Sequence, residues 1–278
     1  GAILHGYKQS LPFDLIHPFL SPEVAREFAY NDPMAHHLLP SASYFNGEGS
    51  TVRTPLATFS DGPATQIFIN AYGHAIGNST ELHDFLLGLE GRALPFSDDL
   101  TNPTVLRPGL LSYGENVHQD LDSWIPPVSI TVHEIAGWGI ETAAGITYDT
   151  DRKCVSFSGK TCVQFATALR YTPDLVADGD GTVVAPSALA MSTSSPNVLR
   201  WWVDLEKYND DYIDRDHKNI LEVSQLRSFI ENIITTNIST PLPNYIHAAA
   251  PPSDGESRLR FFLHSPLALS ATDAAGKE

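Results

Sequence analysis

The sequence predicts an α/β fold, and three stretches carry that prediction. VSITVHEIAG (128–137) is an apolar, β-branched run closed by a glycine, the composition of a buried strand in a sheet covered on both faces. NVLRWWVDLEKY (197–208) reads as a second strand. NILEVSQLRSFIENIITT (219–236) reads as a long helix, with Ile220, Leu221, Val223, Leu226, Phe229, Ile230 and Ile233 at helical spacing. Strand, acidic loop, strand, histidine-bearing loop and helix, in that order, form the closing end of an α/β sheet. In such sheets chemistry gathers at the carboxyl ends of the strands.

The remaining elements follow from local signals. Ser21-Pro22-Glu23 supplies an N-cap, a proline at the first helical position and an early acid for the helix that VAREFAY continues, and Asn31-Asp32-Pro33 stops it. Leu38-Leu39-Pro40-Ser41 breaks any further helix at its proline. QIFINAYG reads as a short strand or extended piece, STELHDFLLGL as a helix capped at Ser79, and ENVHQDLDSW as a helix ending before Pro126-Pro127. A hairpin is expected from about Tyr148 to Leu169, turning at Ser158-Gly159-Lys160. YIDRDHK is a connecting loop, and HAAAPPSDGES a linker into RLRFFLHSPLALSATDAAGKE, which alternates like a strand.

Composition narrows the function. Seventeen Lys and Arg against 33 Asp and Glu leave 278 residues with a formal charge of −16. A surface this acidic repels phosphate backbones and anionic lipid headgroups at long range, so nucleic-acid binding and polybasic membrane docking are poor readings and an uncharged or dipolar substrate a better one. No apolar run approaches the roughly 20 residues of a membrane span, so stable membrane insertion is not expected. GAILHGYKQS at the start lacks the form of a signal peptide, and an abrupt start and finish read as a fragment. Cys154 and Cys162, on either side of the expected turn, are either two small buried hydrophobes or a disulfide in an exported protein. Their spacing lacks the second ligand pair of a zinc site.

Candidate chemistry sits in two loops. Asp178-Gly179-Asp180-Gly181-Thr182-Val183 presents carboxylates on a glycine-permitted turn, and Asp216-His217-Lys218 places an imidazole just before a helix. Asp180 would orient His217 by one ring nitrogen while the other takes a proton from a nucleophile. Asp178 is the alternative acid. Asp174, Asp178 and Asp180 lack the alternate spacing and distal glutamate of a calcium loop. His36, His37, His74, His83, His118 and His133 suggest zinc, but the segment from His133 lacks a second histidine four residues on.

Several segments together resemble the lecithin:cholesterol acyltransferase-like branch of the α/β-hydrolases, which includes lysosomal phospholipase A2. They are PFLSPEVAREFAYNDPMAHHLLPSASYF, ITVHEIAGWGIET, DGDGTV and HKNIL, in the family's order, spanning roughly Pro18 to Ile234. The resemblance implies an incomplete α/β-hydrolase fold: cap and helical part over 1–125, the last sheet strands with the acid and histidine loops over 126–240, and from 241–278 a linker and the start of a β-rich extension. It places the family's catalytic acid on Asp180 and its histidine on His217. It implies a lipid acyl-ester hydrolase or O-acyltransferase, with Trp138, Ile140 and Tyr148 lining the substrate entrance or simply filling the core; no metal or cofactor is expected, and the acidic surface, low lysine content and candidate disulfide favour an exported location.

The departure is the nucleophile. No Gly-x-Ser-x-Gly elbow occurs in the chain, and Ser79 in Gly77-Asn78-Ser79-Thr80-Glu81 reads as a helix cap. The serine is therefore expected outside this chain, in an N-terminal half of the same hydrolase domain. The rival reading is a non-catalytic lipid-binding or interaction module.

Overall fold

The computed structural model describes residues 2–6, 21–46, 55–92, 99–191, 196–235 and 241–252. The expected C-terminal strand lies outside them. The fold is α/β, with two mixed sheets.

The first sheet runs in the order β2-β1-β4-β5, with β1 at Ala57–Phe59, β2 at Ala75–Ile76, β4 at Thr142–Ser158 and β5 at Thr161–Val176. β1 lies parallel to β4, and β4 and β5 form the expected hairpin, which begins at Thr142 and ends at Val176 rather than at Tyr148 and Leu169. Helices α1 (Ala2–His5), α2 (Pro22–Asn31), α3 (Pro33–His37), α4 (Ala42–Asn46), α5 (Gln66–Tyr72), α6 (Ser79–Leu87) and α7 (Pro108–Asp122) precede the hairpin. Phe59, Phe68, Phe85 and Tyr148 are the heart of the core between several of these helices and the sheet.

Two expectations change here. QIFINAYG is helical, because Phe68 and Tyr72, four residues apart, are both buried while Gln66, Ile67 and Asn70 face water. That period of burial outweighs the β-favouring composition. At α6 the cap is Asn78, whose side chain accepts from Glu81 N at 2.9 Å, and Ser79 is the first helical residue. Ser21 does cap α2, accepting from Val24 N, with Pro22 in the first turn.

The second sheet, in the order β3-β6-β7, is the sequence's central expectation. β3 (Val132–Trp138) and β6 (Val198–Asp204) run parallel through seven paired positions, and β7 (Ile246–His247) adds antiparallel to β6. One face buries Trp201, Val203, Val223, Leu226 and Phe229 under α9 (Leu205–Asp211) and α10 (Ser224–Thr235). The other buries Ala136, Trp138 and Trp202 under α8 (Ala185–Ala188) and Leu189. Cover on both faces explains why these strands read as continuous apolar runs.

The long helix expected from Asn219 is broken. His217–Glu222 forms a 3₁₀ turn with Asn219 outside helical geometry, Val223 is extended, and α10 begins only at Ser224. Leu221, counted on the apolar face, is 64% exposed as a result.

Candidate active site

The site is assembled where β5 leaves the first sheet and passes the carboxyl end of β3. Gly139 N donates to Ala177 O, and Ile140 N to Gly179 O, so that Ile140 and Asp180 pair as an isolated parallel bridge. The Asp180 carboxylate folds back on its own turn: Oδ1 accepts from Thr182 N at 3.1 Å and Val183 N at 2.8 Å. Gly181, at φ +90°, makes that turn at a backbone angle other residues rarely adopt.

Thr142 fixes the turn from below. Its hydroxyl donates to Ile140 O at 2.7 Å and accepts from Gly181 N at 2.8 Å, and the residue is fully buried. Gly137, at the end of β3, leaves the space in which the acid stands, since a Cβ there would lie 2.5 Å from Asp180 Cβ. Sequence reading passed over both residues. The glycine closing the β3 run was a usable signal for close approach, whereas nothing local marked Thr142.

His217 arrives from the connection after β6 and α9. Asn209 clamps that connection through both sides of its amide, accepting from Arg215 N at 2.7 Å and donating to Arg215 O at 2.9 Å. Asp216 and Asn219 form a reciprocal capping box around the 3₁₀ turn. The histidine is then held twice by the same residue, its backbone N donating to Asp180 O and its Nδ1 to Asp180 Oδ2, both at 2.9 Å.

A carboxylate only accepts, so the proton of a neutral imidazole sits on Nδ1 and Nε2 presents a lone pair. Asp180's side chain is 8% exposed and that of His217 49%. The acid is therefore sheltered while the imidazole faces outward. Among the described residues no hydroxyl or thiol hydrogen-bonds Nε2. Such a pair can orient an imidazole, accept a proton at Nε2 and stabilise the resulting cation.

The structure separates the other candidate residues. Asp180 rather than Asp178 holds the imidazole; Asp178 O accepts from Ala185 N. Trp138 is 6% exposed against Ala185, Leu189 and Trp202, and Tyr148 is wholly buried with its hydroxyl on His5 Nε2 at 2.9 Å. Neither lines an entrance: both fill the core, because their strands turn these positions inward. Ile140 is half-buried against the acid's turn. Tyr212, Ile213 and Leu221, on either side of His217 in sequence, are exposed. Cys154 and Cys162 form a disulfide with Cα atoms 5.9 Å apart. Among the described residues no group of three or more His, Cys, Asp or Glu side chains is arranged to hold a metal ion.

The fold brings an aspartate and a histidine from two loops into one hydrogen-bonded pair. No protein-family model, curated protein or solved structure matches the chain.

Proposed function

We propose that this chain carries the acid and base of a serine-type acyl-ester hydrolase or acyltransferase acting on lipids, in an α/β-hydrolase fold completed by an N-terminal half. The carrying observation is the Asp180–His217 pair, with Nδ1 tied to a sheltered carboxylate and Nε2 directed away from it. In this reading His217 takes the proton of a serine as the serine oxygen attacks the ester carbonyl. It then returns the proton to the leaving alcohol, and water or an acceptor alcohol releases the acyl-enzyme. Asp180 orients the ring and stabilises the imidazolium.

Two further features support the proposal. Among the described residues β3 has a neighbouring strand only on the β6 side, so its outer edge is free to receive another parallel strand. Tyr212, Ile213 and Leu221, close to His217 in the sequence, are exposed apolar side chains that would suit an acyl chain better than a polar substrate. An exported location accords with the disulfide.

The test is hydrolysis of a chromogenic fatty-acyl ester by the full-length protein. His217→Ala lowers kcat/KM by at least about a thousandfold. Activity surviving that change refutes the assignment, and a wild type inactive on every acyl ester tried favours a binding module that keeps the scaffold alone.

A further inference from the structure

The outer part of the β4–β5 hairpin has no role in the site. From Asp151 to Thr167 nearly every residue on both strands is exposed, so the ribbon leaves the body of the protein and carries water on both faces. A free two-stranded ribbon is marginal in water. This one is stapled by Cys154–Cys162 and nonetheless exposes Val155 at 53%, Phe157 at 66%, Val163 at 59% and Phe165 at 49%.

Pairing puts Cys154 opposite Phe165 and Phe157 opposite Cys162, and the disulfide shows that the two pairs share a face. The phenylalanines therefore flank the staple. Val155 and Val163 are left unpaired at successive register shifts, one in each strand.

Charge distinguishes this tip from the rest of the molecule. Residues 151–167 hold Arg152, Lys153 and Lys160 against Asp151 alone, in a chain whose net charge is −16. Arg152 lies over the Phe165 ring, 4.6 Å from its centroid. Aromatic side chains near a tip, with Arg152 and Lys153 behind them and Lys160 in the turn, match an interfacial anchor: rings enter the acyl boundary and long basic side chains reach the headgroups.

We propose that this hairpin tip docks the protein on an anionic lipid surface. A protein partner is the weaker occupant, since a stable interface takes about 800 Å² and some 20–30 residues a side, more than a ribbon two strands wide presents. A second copy meets the same limit of area, and the local excess of Arg152, Lys153 and Lys160 reverses at the tip the acidity that elsewhere repels anionic headgroups. The proposal goes beyond the catalytic reading and does not rest on it.

The experiment is co-sedimentation of the full-length protein with phosphatidylcholine vesicles with and without phosphatidylserine, with the thermal midpoint of each variant measured alongside. The wild type binds the phosphatidylserine vesicles and is released by added salt. Lys153→Gln and Lys160→Gln each weaken partitioning roughly fivefold. Phe157→Ser combined with Phe165→Ser weakens it at least about tenfold. These changes touch no buried residue and leave the thermal midpoint in place. A wild type that ignores both vesicles, binding indifferent to the variants, or variants that alter only self-association in velocity sedimentation would each overturn the proposal.

Discussion

Replacing Thr142 by valine changes almost nothing in volume and removes the hydroxyl that holds the acid's turn. The hydroxyl makes two hydrogen bonds, at 2.7 Å to Ile140 O and 2.8 Å from Gly181 N, in a fully buried position. Losing both, with an N–H left unpaired, costs about 2 kcal/mol. There is also a displacement. A methyl carbon needs roughly 3.5 Å from that nitrogen, so the turn has to retreat by more than half an ångström, and Gly179, packed against the same side chain, blocks one direction. Misplacement on this scale at a catalytic group costs about ten- to a hundredfold in rate. The assay pairs urea unfolding, which reads the midpoint at constant slope, with kcat/KM on a chromogenic acyl ester. Thr142→Ser keeps both hydrogen bonds and loses only a methyl group, about 0.8 kcal/mol, with activity largely retained. A Thr142→Val protein matching the wild type in midpoint and rate would refute the idea that this hydroxyl positions Asp180.

Three further outcomes follow from the same geometry. Gly137→Ala forces a carbon to within 2.5 Å of Asp180 Cβ; overpacking of this kind costs about 1–3 kcal/mol, and ester hydrolysis should fall with it. His5 gives a pH signature. Its Nδ1 donates to Leu100 O at 2.8 Å, its Nε2 accepts from Tyr148, and burial pushes its pKa down to about 3. The unfolded histidine titrates near 6.5, so this contribution is complete above that pH. It is lost as pH falls towards 3, at up to about 1.4 kcal/mol per pH unit. Chemical denaturation across that window should show a slope that His5→Gln reduces, and equal slopes would contradict the assignment. Reduction of Cys154–Cys162 should raise amide exchange within 151–167 while leaving exchange in β3 and β6 unchanged, because the bridge closes only a short excursion beyond the core.

The elements legible in the sequence were those whose local signal and tertiary role agree. β3 and β6 read as buried strands because helices cover both faces of their sheet, and Ser21-Pro22 capped a helix because the caps of exposed helices are local chemistry. QIFINAYG failed for the opposite reason: its residues favour strand, and only the burial of Phe68 and Tyr72 makes it a helix. Asp216 and Asn219 cap a separate turn ahead of α10, a break that an apolar period does not reveal. Asp180 and His217 were legible as residue types on loops, since glycines and a helix start surround them. What lay hidden was their support from Thr142, 39 residues from Gly181, because contacts across that distance leave no local pattern. Trp138 and Tyr148 read as either entrance or core, because composition after a strand does not say which side of the sheet a ring takes, and the structure buries both.

Covalent labelling of the full-length protein by a fluorophosphonate, followed by mass spectrometric identification of the modified residue, bears most directly on whether this carboxylate and imidazole activate a hydroxyl. The account predicts a single modified serine outside these 278 residues, labelled at least about a hundredfold more slowly in Asp180→Asn and in His217→Ala. No modified serine, or labelling that proceeds equally fast in both variants, would contradict it.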